Sequence, residues 1–233
     1  MNNKNEMVVK YKVDDTEIEL TPSIVQEYIV GGTNSQITMK EFKLFAELCK
    51  VRKLNPFLQE AYLIKYGEQP AQMVVGKDAI IKRAVLNPNY DGMESGIIAV
   101  HKTTGEEIER QGTYVPADYK LTGGWAKVYV KNRTHPSYQS VNLSEVVQKK
   151  KDGTINSNWS SKPATMVEKV AKVRALREAF VEDLGGMYEL EEFGEEVPKK
   201  VHGSDKEVID QEETKVYDVD VQETSEEINI NEL

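Results

Sequence analysis

Residues 159–180 read WSSKPATMVEKVAKVRALREAF, and their periodicity decides the fold class. At about 100° per residue, Met166, Val170, Val173, Leu176 and Phe180 fall on one stripe, which predicts a core helix over Pro163–Phe180. Pro163 stands in its first turn, Thr165-x-x-Glu168 has the pattern of a capping box, and Gly185-Gly186 reads as the stop. Lys169 and Lys172 lie toward one edge of the stripe, Arg174 and Arg177 toward the other. Ala164, Ala171, Ala175 and Ala179 line the opposite side, where another backbone, such as a second subunit's, can approach closely. The four cations either snorkel along the core edge or present one pair to a groove.

Upstream of this helix the period changes from 3.6 to 2. Trp125–Lys131 (WAKVYVK) and Tyr138–Leu143 predict a hairpin across 132–136, with Gly123-Gly124 letting the backbone enter it. Strands are expected at 96–101 and 107–115, joined at Thr104-Gly105. A further hairpin pairs Glu60–Tyr66 with Ala71–Val75 through the Gly67–Pro70 turn. A short helix follows over Gly76–Leu86, with Ile80, Ile81 and Ala84 inward. Before these, Thr38-x-x-Glu41 caps a helix whose Phe42, Phe45, Ala46, Leu48 and Cys49 recur at helical spacing, and Asn55-Pro56 ends it. Thr21-Pro22 opens a short helix that Gly31-Gly32 stops. Weak alternation around Asp14-Asp15 predicts an N-terminal hairpin. Helices and antiparallel hairpins in this order predict an α+β fold rather than a doubly wound parallel sheet. The expected organisation is an N-terminal hairpin and short helix (1–37), a core (38–193) and an acidic, mostly disordered tail (194–233).

The chain has 233 residues and a formal net charge of −9, which by itself argues against nucleic acid. Divided by position, the charge reads differently. Residues 1–37 carry net −3, residues 38–183 net +6 and residues 184–233 net −12. Within the middle, residues 120–177 hold 12 basic and 3 acidic residues. Cations alternate there with rings: Lys120, Trp125, Lys127, Tyr129, Lys131, Arg133, Tyr138, Lys149, Lys150, Lys151, Trp159 and Lys162. Single-stranded nucleic acid is bound by such a mixture, cations following phosphates and flat rings stacking on bases. The plainer alternative is a solvated sheet face and a charged loop.

Catalytic patterns are sparse. Gly76-Lys77 lacks the spacing and the Ser/Thr of a phosphate loop, since Asp78 follows. His101, His135 and His202 are isolated, and the single cysteine, Cys49, reads as a buried core thiol. A metal nuclease would have to draw on Asp78, Asp91, Glu94 or Glu168, which are scattered. The first ten residues lack a signal-peptide core, and the longest charge-free run, Tyr28–Met39, is twelve residues. These features predict a soluble, cytoplasmic chain with no cofactor.

Six segments, in order, resemble the RecT/Red-beta (Bet) family of phage recombinases. They are LNPFLQEAYLIKY (54–66), VVGKDAIIKRA (74–84), YDGMESG (90–96), KNRTHP (131–136), the 159–180 segment and GGMYELEE (185–192). The resemblance covers roughly 38–193; Val181 stands where many members have proline. It implies an α+β annealing core and, in the bacterial host cytoplasm, ATP-independent annealing of single-stranded DNA by a homo-oligomer, a ring or helical filament. The annealed duplex is then the product, and a phage exonuclease and host single-strand-binding protein are the implied partners. It points to Trp159, Lys162 and Arg177 as DNA contacts, then to Lys131 and Arg133. Lys77, Lys82 and Arg83 join them from the helix after Gly76, and Lys149–Lys151 as a mobile flap. Lys127, Lys169, Lys172 and Arg174 complete the candidate set. The competing readings are a regulatory nucleic-acid- or protein-binding module with an acidic interaction tail, and a metal-dependent nuclease. The tail either screens the basic groove, docks a partner or simply solubilises.

Overall fold

Alternation dictates the first element of the computed structural model, which describes residues 7–32, 36–150 and 152–192. Strands β1 (Val9–Val13) and β2 (Thr16–Leu20) pair antiparallel around Asp14-Asp15, and Asp14 takes the left-handed conformation that the tight turn requires. Val9, Tyr11, Val13, Ile18 and Leu20 point into the same hydrophobic cluster as the later helices. The Tyr11 hydroxyl donates to the Leu54 carbonyl at 2.8 Å.

Thr21 caps the short α1 (Pro22–Ile24), which runs on into a π-helical stretch, Val25–Ile29. The Gly31-Gly32 stop expected from the sequence is displaced. The helix ends at Ile29, and Val30–Gly31 forms β3, pairing parallel with β4 (Ala61–Ile64). Gly32 then turns at φ +110°, where a Cβ would lie 2.0 Å from the Lys65 carbonyl oxygen. The pairing and this close approach, rather than helix termination, explain the glycines.

Helix α2 (Met39–Arg52) begins with the expected capping box, both halves of which form. Phe42, Phe45, Ala46 and Cys49 are its buried positions. Burial pushes the Cys49 thiol up to about 12, consistent with an unreactive packed group. The Glu41 carboxylate receives Lys65 Nζ at 2.8 Å and the Thr38 and Ala71 amides at 2.7 Å each. Burial alone raises a carboxyl pKa, but these donors outweigh it and hold Glu41 at about 2. At the other end, Arg52 donates to the carbonyls of Glu182, Asp183 and Gly185 at 2.6–2.7 Å. The end of α2 is thus fastened to chain more than a hundred residues away. Strand β5 (Gln72–Val75) completes a three-stranded sheet in the order β3-β4-β5, and α3 (Lys77–Leu86) follows from Gly76.

The central sheet has four antiparallel strands in the order β7-β6-β8-β9. These are β6 (Tyr90–His101), β7 (Glu107–Gln111), β8 (Tyr119–Val130) and β9 (Ser137–Asn142). The two middle strands are each 12 residues long, well beyond the 96–101 and 125–131 expected. The YDGMESG segment is the first half of β6. Its Gly92 sits at a register shift with φ +119°, a conformation that favours glycine within a strand. Gly123-Gly124 likewise lies inside β8 rather than leading into it.

Two short helices follow, α4 (Leu143–Val146) and α5 (Ser157–Ser161), each capped by an asparagine side chain. Helix α6 (Pro163–Ala179) then crosses the sheet. A Cβ on Gly124 would meet Val167 backbone atoms at 2.9 Å, so the helix backbone rests directly on β8. Ser95 donates to Glu168 at 2.8 Å, and Gln139 bonds Glu178. Positions 167, 168 and 178 therefore face the sheet, and Ala171 and Ala175 fall on the same side. The alanine side does admit a close backbone, as expected, but that backbone is the chain's own β8 rather than a second subunit's; Ala171, Ala175 and Ala179 are all buried. The expected Thr165–Glu168 capping box does not form, because Pro163 at the first helical position moves the cap to Lys162 and puts Thr165 inside the helix. Phe180 leaves helical geometry, and α7 (Val181–Leu184) precedes Gly185-Gly186, so the glycine stop belongs to α7. Among the described residues no helix is long and apolar enough to cross a membrane.

These contacts have measurable effects on stability. Gly124→Ala should lower stability by about 1–3 kcal/mol in urea denaturation, because its Cβ meets backbone that cannot yield; an unchanged midpoint contradicts the seating of α6. Glu41→Gln should cost about 1–3 kcal/mol at neutral pH. Glu41's folded pKa lies below its unfolded value of about 4.3, so its contribution is full above that value and fades as pH falls toward about 2. The gap between parent and variant should therefore close over that acid range.

Candidate nucleic-acid interface

Because α6 is buried on both sides, the cations at its edges have little water and need carboxylates. Lys172 bonds Glu168 one turn back at 2.8 Å, and Lys169 bonds Glu189 at 2.9 Å. Arg177 forms a two-pronged pair with Glu192, whose side chain is 5% exposed, and also donates to the Met187 carbonyl. Arg174 lies 3.9 Å from the same carboxylate. Glu189 also accepts the Lys77 amide at the start of α3, where the helix dipole favours an anion. Thus 187–192 forms a strap across α6, anchored by buried Met187 and Leu190 and by the Val75 amide, which donates to the Tyr188 carbonyl at 2.8 Å.

Glu189 and Glu192 read in sequence as the onset of an acidic stretch. They are internal counter-ions of the core. The available signal was their place in GGMYELEE, directly after the helix that carries four cations.

The other candidates divide as follows. Lys82 is paired with Glu60 at 3.2 Å and Asp14 at 3.5 Å, and Lys77 lies 3.5 Å from Asp78. Lys131 donates to the Pro88 carbonyl at 2.9 Å. Arg133, Lys149, Lys150 and Lys162 are exposed, Arg83 is half-exposed, and none of these five makes an ion pair with a described residue. Lys151 lies outside the described residues, as does the tail beyond 192.

Lys149 and Ile155 form a β-bridge, and Asp152 accepts both the amide and hydroxyl of Thr154, at 2.9 and 2.6 Å. The described residues around the expected flap, 149–150 and 152–155, are thus hydrogen-bonded to one another. The base of this segment joins α5, since the Asn156 amide donates to the Gln148 carbonyl, so Lys149-Lys150 and Lys162 flank the two ends of α5. Trp159, expected to stack or wedge, is 2% exposed within α5. Its indole packs in the core and offers no face to a base as folded.

On β8, Ala126, Val128 and Val130 belong to the core, so Trp125, Lys127 and Tyr129 take the opposite sheet face. Tyr138 stands opposite Lys127 in the ladder and shares that face. The Lys127 ammonium lies 4.9 Å from the Trp125 ring centre and 5.5 Å from that of Tyr138. Glu94 and Glu109 accept the hydroxyls of Tyr129 and Tyr138. Burial, together with the Glu109 bond, pushes the Tyr138 hydroxyl up to about 12 and keeps it a donor.

A shallow groove of about 380 Å³ opens beside the strap, with Arg174, Arg177, Tyr188 and the Gly185-Gly186 turn among its lining. Tyr188 was not singled out from sequence. Nor was Arg52, which secures that turn from below. Among the described residues no three His, Cys, Asp or Glu side chains gather as a metal site.

This sorting predicts different consequences for two cations that the sequence treats alike. Arg177→Ala strips the buried Glu192 carboxylate of its two-pronged partner, leaving it only the Glu189 amide and Arg174 at 3.9 Å, and should cost about 3–5 kcal/mol of stability. Lys162→Ala should stay within about 0.5 kcal/mol of the parent. Chemical denaturation of both variants checks this; equal, small effects contradict the internal role of Arg177.

Known proteins share parts of this chain. Residues 17–203 match the model of the RecT family, beginning upstream of the resemblance read from the motifs and taking in β2 and α1. A shorter likeness, 32% identity over 81 residues, links the chain to the minor capsid protein p49 of African swine fever virus, in the Tick/Malawi isolate and the Badajoz strain alike. That stretch is 35% of this chain and spans 18% of the length of those capsid proteins. With the α+β fold, the motif order and a family match over most of its length in agreement, the chain belongs to the RecT family.

Proposed function

We propose that the protein binds single-stranded DNA and anneals complementary strands without ATP, acting as a homo-oligomer. The observation that carries this reading is the division of cations within a member of this family. One set is neutralised inside the fold, and the outward set (Arg133, Lys149, Lys150, Lys162 and Arg83) is left for an external polyanion. Lys127 and Lys131, whose local contacts are weak or neutral, extend the outward set along β8.

The chemistry needs no nucleotide. Base pairing is downhill by about 1.4 kcal/mol per stacked step. The obstacles are repulsion between two phosphate backbones and structure within each strand. Lysines and arginines along one backbone reduce the first. Holding that strand extended, with its pairing edges outward, reduces the second. Few such cations serve one protomer, so affinity comes from repeating them through an oligomer, where many weak contacts act together. Phosphate contacts of this kind carry no sequence information, which suits a protein that must pair any strand with its complement.

The test is annealing of a labelled complementary oligonucleotide pair at low salt, with EDTA present and no nucleotide. The protein should accelerate pairing well above the spontaneous rate, and the acceleration should fall steeply as salt rises. Magnesium should leave the oligonucleotides intact. No acceleration at low salt overturns the reading, and magnesium-dependent cleavage would favour a nuclease instead.

A further inference from the structure

The groove beside the strap has a feature that the exposed lysines do not explain. Tyr188 borders it, and the Arg177 guanidinium lies 4.4 Å from the centre of the tyrosine ring. That guanidinium is itself fixed by Glu192 and the Met187 carbonyl. The Tyr188 backbone is held by the Val75 amide, and its neighbours Met187 and Glu189 are buried. With these contacts made, 44% of Tyr188 remains exposed. The structure thus presents a rigid aromatic surface, backed by a cation, at the edge of an open groove. Stacking on it incurs little ordering cost, because the ring is already immobilised.

Arg174 lines the same groove with its side chain 33% exposed. Its Nε lies 3.9 Å from Glu192, and its remaining nitrogens make no hydrogen bond with a described residue. Those nitrogens are donors of the geometry that matches phosphate. Glu178 also borders the groove, bonded to Gln139, and its carboxylate disfavours a phosphate on its own side. The backbone contact therefore falls to Arg174. A planar apolar face and a fork of donors within one groove match one nucleotide of an unpaired strand. In a duplex both faces of an internal base are already stacked, so this arrangement selects single strands.

We propose that Tyr188 is a base-stacking platform for single-stranded DNA, with Arg174 holding an adjacent phosphate. This rests on the single-strand-binding reading above and adds a specific subsite to it. Arg177 and Glu192 are positioning residues here, since they hold the ring and touch no DNA.

The test is binding of a short oligothymidylate to the full chain at low salt. Tyr188→Leu keeps apolar bulk over Arg177 without an aromatic face, and Tyr188→Phe keeps the face without the hydroxyl. Affinity should fall about 5- to 100-fold in the leucine variant and stay near the parent value in the phenylalanine variant. Thermal midpoints confirm that both are folded. In addition, Tyr188→Trp places an indole in the groove while Trp125 and Trp159 are buried, so its emission should be quenched as oligothymidylate binds. Leucine-variant affinity within twofold of the parent, or emission of the tryptophan variant that saturating oligothymidylate leaves unchanged, overturns the proposal. If the parent binds oligothymidylate and the leucine variant binds as well, only this subsite is lost. If the parent binds none, the single-strand-binding reading itself fails.

Discussion

The seating of α6 on β8 is the contact on which the remaining structure depends. It requires a residue without a side chain at Gly124, where a Cβ would meet the helix backbone at 2.9 Å. Once the backbones touch, Ala171 and Ala175 fill the sheet side and the apolar stripe fills the other. The helix then has no broad solvent face. Its basic residues must end at narrow edges, where ionised groups are tolerated only with partners.

The acidic partners follow from that constraint. Glu168 serves Lys172 from within the helix, while Glu189 and Glu192 arrive on the strap formed by 187–192. Arg52 fastens the chain just before that strap by holding three carbonyls around α7, and the Val75 amide fastens the strap itself. Ion pairs, a C-terminal cap and strand-like bonding thus converge on one short segment. Its rigidity is what holds Tyr188 in place beside the groove. Architecture and site are linked here through charge: the carboxylates that make α6 foldable also decide which of its cations can still reach an outside phosphate.

Much of this was legible in the residues. The Asp14-Asp15 hairpin, the Thr38–Glu41 capping box, the paired strands around Gly67–Pro70 and the buried stripe of 163–180 follow from local rules, and the motif order pointed to the family. What was not legible depends on distant partners. Gly123-Gly124 read as the entry to a hairpin until their place inside the long paired strand β8 is seen. Thr165 and Glu168 fit a capping pattern that Pro163 pre-empts. Trp159 is followed closely by Lys162 and looks like a stacking residue, but α5 turns it inward. At the site, local charge counting separated a basic middle from an acidic end. It could not show that Glu189 and Glu192, on the acidic side of that division, neutralise Lys169 and Arg177 on the basic side. Tyr188 was hidden for the same reason, being embedded among glutamates.

The central claim is that the cations divide into an internal set and an outward set, and counterion release measures that division directly. Each phosphate neutralised on a single strand contributes about 0.7 to the slope of log affinity against log salt. Titrating oligothymidylate at several salt concentrations with Lys162→Gln and Lys172→Gln compares one member of each set. Lys162→Gln should lower the slope by about that increment, and Lys172→Gln should keep the parent slope. A reduced slope for Lys172→Gln with an unchanged slope for Lys162→Gln would contradict the account.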